Sequence, residues 1–201
     1  MGKFPIWVIL YPVVSHIGVQ ISNTLLPVIY LLMAVFFLTY SLKTKSYTLK
    51  VSIIAFATSA AFFIVMCNKG QALIQSTPIL VLLTLLYIFS KSLLSGNVPV
   101  ITQFADCIDN KPLNANKKKY TRTVTVIWVV GFMYMLVQNV VVFIWFSIET
   151  WSWVSNFGNY AILTLIMLIE FLYRNIKFKD DKISFKVFII RLSRCRLKNS
   201  L

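Results

Sequence analysis

The chain has 201 residues, of which 58% are hydrophobic and only 13% charged, and its formal net charge is +14. A soluble domain carries about 25% charged residues, and a nucleic-acid-binding domain spreads its lysines and arginines over a polar folded surface. Here the basic residues fill the gaps between uncharged apolar runs, which excludes both classes and leaves an all-α polytopic membrane protein, with no nucleic acid among its partners.

Between Phe4 and Leu42 there is no Asp, Glu, Lys or Arg. As one helix this run would be roughly 58 Å long, about twice the hydrocarbon thickness of a bilayer. The polar break Ser22-Asn23-Thr24 divides it into two expected spans, about residues 4–21 and 25–42, joined as a hairpin. No small-x-small cleavage pattern interrupts the first run, so it reads as a retained span and not as a cleaved signal. A loop with Lys43, Lys45 and Lys50 leads to a third span at about 51–68. After Lys69, Gly70 and Gln75 the fourth is expected at about 78–94, with Pro78 in its first turn, where proline is tolerated. A fifth follows at about 124–146 and a sixth at about 155–173. Residues 1–174 thus read as a six-helix transmembrane domain and residues 175–201 as a basic, amphipathic cytoplasmic tail.

Strict alternation of six spans puts 19 of the 20 basic residues on one side, including Lys91, Lys117, Lys118, Lys119, Arg122 and nine from Arg174 to Lys198, and Lys69 alone on the other. The excess of Lys and Arg marks the cytoplasmic side, so both termini are expected there. Trp151 and Trp153 in the short outer loop suit a membrane interface. In the cationic connection, Val100, Ile101, Phe104, Ala105 and Ile108 recur at helical spacing, which predicts an interfacial helix at about 99–109. In the tail, Phe185, Phe188, Ile189, Leu192 and Cys195 form an apolar stripe with Lys182, Lys186, Arg194 and Lys198 off it, a pattern that binds anionic lipid surfaces.

Chemistry-bearing residues are few. His16, the only histidine, has no second ligand at a recognisable spacing, so no metal site is expected and packing or hydrogen bonding is its simplest role. Cys67, Cys107 and Cys195 are far apart and read as apolar residues without a disulfide framework. No hydrolase, P-loop or zinc-protease motif occurs, and neither catalytic residues nor a cofactor are expected. Glu170 lies inside a span with Arg174 one helical turn later, which predicts a local ion pair. Gln138, Asn139, Asn156 and Asn159 need partners in lipid and are expected to join helices. Lys117, Lys118, Lys119, Tyr120 and Arg122 precede the fifth span, where the free N–H groups of a helix start attract anions; they are the expected contacts for an anionic headgroup or an acidic partner.

The elements FSKSLLSGNVPVITQFA, YTRTVTVIW and ETWSWVSNFGNYAILTLIMLIEFLYR resemble a family of small bacterial inner-membrane proteins encoded among fatty-acid-synthase-like genes of aryl-polyene clusters. The likeness covers residues 89–174 and rests on Ser92, Leu93, Gly96, Pro99, Tyr120, Thr121, Arg122, Thr125, Trp128, Trp151, Asn159, Glu170 and Arg174, with a departure at Gln103 where the family pattern has arginine. A more distant similarity is to intracellular septation protein A. The resemblance implies a setting in the bacterial cell envelope. Together with the confined positive charge it leads to the expectation of a non-catalytic role in making or moving an acyl or polyene lipid, with membrane lipids and an acidic protein such as an acyl carrier protein as partners; a homo-oligomer is a separate expectation. A structural envelope or division protein and a small transporter or flippase are the alternatives; the latter would need His16 and Glu170.

Overall fold

In the computed structural model, residues 10–41, 46–109, 113–178 and 184–195 are described. Among them there is no strand. The helices are α1 (Tyr11–Gln20), α2 (Leu25–Ser41), α3 (Tyr47–Met66), α4 (Gly70–Ser92), α5 (Val100–Asp109), α6 (Ala115–Trp145), α7 (Ile148–Trp153), a π segment (Val154–Gly158), α8 (Asn159–Lys177) and α9 (Phe185–Arg194). Four runs are long and apolar enough to cross a membrane: α3, α4, α6 and the continuous stretch Ile148–Lys177. Apolar α2 is shorter, at Leu25–Tyr40, and the first expected span is described only from Leu10. The helices present their apolar side chains outward: Phe56, Phe62 and Phe63 on α3 are 78%, 69% and 69% exposed. In water such exposure would forfeit about 25 cal/mol per Å², whereas hydrocarbon accepts it, so the fold is that of a membrane protein.

The chain divides into two compact units, one of Met1–Leu80 with Asn139–Asn159 and one of Val81–Gln138 with Tyr160–Leu201. In the first, α1 and α2 form the expected hairpin. Ser22 turns the chain at φ 52°, and Asn23 Oδ1 accepts from Leu25 N at 3.0 Å and Leu26 N at 3.2 Å, capping α2. Gly18 lets the two arms meet: a Cβ there would sit 2.7 Å from Pro27 Cδ and 2.9 Å from the Asn23 carbonyl. Ser46 caps α3 by accepting from Leu49 N at 3.3 Å. The core of this unit is Val28, Ala61, Ile74, Val142 and Trp151.

Helix α4 begins at Gly70, where a polar loop was expected, and Pro78 lies inside it. Proline has no N–H to give the Ile74 carbonyl, yet the helix continues through it, as membrane helices can. Here Ser76 and Thr77 both donate to the adjacent Leu73 carbonyl, at 2.9 and 3.0 Å.

In the second unit the stretch after α4 is a tightly tied turn. Ser92 Oγ donates to Phe89 O at 2.7 Å and accepts from Val100 N at 3.2 Å. Asn97 Nδ2 donates to Lys91 O at 2.9 Å, and Gly96 takes φ 86°, which a side chain would resist. Helix α5 joins α6 through Thr102 and Thr121, whose hydroxyls are 2.7 Å apart. The cores are Leu82, Phe132 and Met135 at one level, and Ile108, Phe171 and Phe188 at another.

Two expectations are corrected here. Cys107 and Cys195 form a disulfide, with Cα atoms 5.9 Å apart and a separation of 88 positions in sequence; a pairing that distant leaves no spacing signal. The tail helix α9 packs on α5 and α8 as well as being amphipathic: Phe188 is buried, and Arg191 Nη1 donates to Ile108 O at 2.8 Å. Of the tail stripe and its cations, Lys182 and Lys198 lie outside the described residues, as do the side chains of Ile189, Leu192 and Arg194.

Candidate functional site

Helix α6 starts at Ala115, well before the expected 124, and this changes the chemistry of the cationic stretch. Asn114 caps it, its Oδ1 accepting from Lys117 N at 2.8 Å and its carbonyl from Lys118 N at 3.0 Å. The amides of Tyr120, Thr121 and Arg122 therefore belong to the helix interior, and the expected anion site at a helix start around them is not formed. At 1.5 Å per residue the 31 residues of α6 run about 46 Å, so the cationic turns extend beyond a hydrocarbon layer of about 30 Å.

Those turns face α8 across a groove of about 920 Å³. Val124, Ile127, Ile166 and Ile169 make an apolar part, while Lys119, Tyr120, Glu170, Tyr173, Lys177 and Phe178 make a polar and aromatic part. Tyr120 organises the latter. It is buried, its ring stacks on Tyr173 with centroids 5.9 Å apart, and Phe178 meets it edge-on at 5.4 Å. Its hydroxyl donates weakly to Glu170, 3.4 Å from the carbonyl and 3.5 Å from Oε1. Lys177 Nζ lies 5.1 Å from the Tyr120 ring centre and 5.5 Å from that of Tyr173, and Lys117 Nζ is 5.6 Å from that of Phe178. These cation–π contacts hold two ammonium groups beside the groove.

The remaining basic candidates separate. Lys118 is exposed and does not line the groove. Arg122 donates from Nη2 to the Leu93 carbonyl at 2.8 Å, which ties α6 to the end of α4. The ion pair expected between Glu170 and Arg174 is not formed among the described residues. Glu170 turns to Tyr120, while the Arg174 guanidinium lies 5.1 Å from the Phe188 ring centre and keeps a buried Nη2 without a partner. Helical spacing brought the two within reach, but each found a competing partner on another helix.

In the first unit the polar residues gather into two hydrogen-bonded clusters. Asn139 Nδ2 donates to Asn159 Oδ1 at 3.2 Å, Ser155 Oγ donates to Asn139 Oδ1, and Asn159 Nδ2 donates to the Ser155 carbonyl at 3.1 Å. Asn156 Nδ2 donates to Ser152 Oγ at 3.0 Å, and that hydroxyl is hydrogen-bonded to His16 Nδ1 at 2.9 Å. The rings of Trp153 and Phe157 stand 4.5 and 5.0 Å from the imidazole. The π segment carries Ser155 of the first cluster and Asn156 of the second; such wide turns recur at functional positions. Gln138 is half-buried on α6 in the second unit. Among the described residues no group of three His, Cys, Asp or Glu side chains is arranged to hold a metal ion.

Sequence reasoning missed Tyr173, Lys177 and Phe178 as partners of Tyr120, and Ser152 and Ser155 as partners of His16 and Asn139. Tyr173 and Lys177 do stand four apart, the spacing that puts an aromatic and a cation on one helix face. No family model matches the chain, and no curated protein or solved structure matches it.

Proposed function

We propose that this chain is a non-catalytic, multi-pass protein of a bacterial inner membrane, crossing it six times with both termini cytoplasmic. In this reading it supports the synthesis or movement of an acyl or polyene lipid by holding an anionic lipid against its basic face. The observation that carries the reading is the groove between α6 and α8, whose wall passes from Val124, Ile127, Ile166 and Ile169 to Lys119 and Lys177. An acyl chain matches the first set and an anionic headgroup the second, and lysines near a membrane surface attract such headgroups by about 1 kcal/mol each. The asymmetry of 19 basic residues against one supports the orientation, and the resemblance of residues 89–174 supports the envelope setting. An acidic protein such as an acyl carrier protein is a further partner that the same cations would suit.

Native mass spectrometry of the protein reconstituted with equal phosphatidylglycerol and phosphatidylcholine tests this. Retention of the anionic lipid is expected to exceed that of the neutral one, and Lys119→Glu with Lys177→Glu should remove the preference. Equal retention of both lipids by the wild-type protein would refute the reading.

A further inference from the structure

Behind Glu170 the second unit has another cavity, of about 280 Å³, to which α4, α5, α6, α8 and α9 all contribute. Its wall is apolar and aromatic, with Phe89, Phe104, Trp128, Met167 and Phe188 prominent. Two charged side chains interrupt it, Glu170 and Arg174. The carboxylate is turned to Tyr120, whereas the guanidinium has a buried Nη2 with no partner. A buried donor left unpaired costs about 1–3 kcal/mol, more when charged, and an apolar wall gives a water filling the space few other groups to bond. The space itself sits near the lower end of the roughly 300–1,000 Å³ typical of ligand pockets.

We infer that this cavity is a binding site for a short-chain or medium-chain aliphatic carboxylate, with its carboxylate accepting from Arg174 and its chain lying among Phe104, Trp128, Met167 and Phe188. Arg174 is the cation of this wall, and the Glu170 carboxylate is engaged by the Tyr120 hydroxyl. An uncharged alkane would leave Nη2 unpaired, and a diacyl lipid exceeds the volume, so the carboxylate's size and charge are both specified. The inference is independent of whether the neighbouring groove holds lipid.

Trp128 in the wall supplies the readout, because bromine quenches indole fluorescence on contact. Full-length protein in detergent is titrated with ω-bromo-octanoate and, separately, with bromo-octane, which has the chain without the carboxylate. Saturable quenching by the acid alone is expected, absent in Trp128→Phe and weakened about tenfold or more in Arg174→Gln. Ala105→Leu, which pushes a side chain into the same cavity, should abolish it even with Arg174 present. Lys119→Glu, which weakens the groove's hold on phosphatidylglycerol in the reading above, should leave the octanoate response intact, so the two ideas fail separately. Quenching that does not saturate, that persists in Ala105→Leu, or that is unchanged in an Arg174→Gln protein of normal helix content and melting temperature overturns the inference. Should Arg174→Gln not fold, the Ala105→Leu result decides alone.

Discussion

The sharpest test of how the first unit holds together is Asn139→Leu. The native side chain is fully buried and makes two interhelical bonds, donating to Asn159 and accepting from Ser155. Leucine keeps the branched heavy-atom skeleton of asparagine, with bulkier methyls in place of the amide oxygen and nitrogen, but the Asn159 oxygen and the Ser155 hydroxyl lose their partner. Side-chain bonds between membrane helices average about 0.6 kcal/mol and reach about 1.7, while a stranded buried polar group costs about 1–3 kcal/mol. Ser155 can turn its hydroxyl back to its own helix, so the expected loss is about 1–3 kcal/mol, carried mostly by Asn159. Adding Asn159→Leu removes the stranded group, and the double variant should fall short of the summed single effects by about 0.5–1.5 kcal/mol. Reversible unfolding in mixed micelles of rising dodecyl sulfate fraction, followed by circular dichroism, measures both quantities. A single-variant effect under about 0.5 kcal/mol, or a cycle additive to within about 0.3, would show that the network does not couple these helices.

Gly18→Ala is expected to cost about 1–3 kcal/mol in the same assay, because the added methyl would lie 2.7 Å from the ring of Pro27. Arg122→Ala should cost about 1 kcal/mol and speed amide hydrogen exchange through residues 93–98, since its bond to Leu93 O is the loss; phosphatidylglycerol retention should stay at the wild-type level. In protein purified without reductant, removing the Cys107–Cys195 link by Cys107→Ser leaves α9 with Phe188 and Arg191 as its ties to the unit, so trypsin should cut at Lys186 and Arg191 several-fold faster, and an unchanged digestion rate would show that the link does not restrain α9. In a cysteine-free background, a membrane-impermeant maleimide should label Lys69→Cys from outside intact spheroplasts and leave Lys91→Cys unlabelled, the reverse pattern refuting the proposed orientation.

Helical class, the hairpin at Ser22-Asn23, and the apolar runs that become α2, α3 and α6 were legible because each is a local property: a stretch without charge, a polar break, a period of 3.6. The capping residue Asn23 was visible as part of that break, although its bonds to Leu25 and Leu26 were not. Boundaries were harder wherever polar residues are helical. Gln75, Ser76 and Thr77 read as loop but continue α4, and Lys117 to Arg122 read as connection but form the opening turns of α6. Polar composition marks the end of the hydrocarbon layer and not the end of a helix, which explains both errors. The candidate site was legible by halves. Lys119, Tyr120 and Glu170 were singled out, yet the hydroxyl of Tyr120 meets a residue 50 positions away, and the preference of Glu170 for it over Arg174 is a tertiary choice. The disulfide, across a separation of 88 positions, belongs to the same class of information.

The two units use polarity in different ways, and this bears on where function resides. In the first, buried amides and hydroxyls pair with one another, Asn139 with Asn159 and Ser155, Asn156 with Ser152, and Ser152 with His16, although Ser15 Oγ and Trp151 Nε1 are buried without a hydrogen-bond partner. Lipid provides no hydrophobic drive between helices, so such pairs and close contacts such as that at Gly18 decide which helices associate. A network of this kind is complete without a ligand at the bonds named. The second unit is built otherwise. Its cations lean on aromatic rings, which hold the positive charge in position without consuming its hydrogen-bond donors, and Arg174 retains a buried nitrogen with nothing to bond. Beside these groups lie the groove and the cavity, each joining an apolar wall to a cationic side chain. Unspent donors next to apolar space are what an amphiphilic anion requires. The groove and cavity of the second unit join such donors to apolar space, so an amphiphilic anion is to be sought there, and substitutions at Asn139 and Asn159 should move stability while leaving its affinity for a folded protein unchanged.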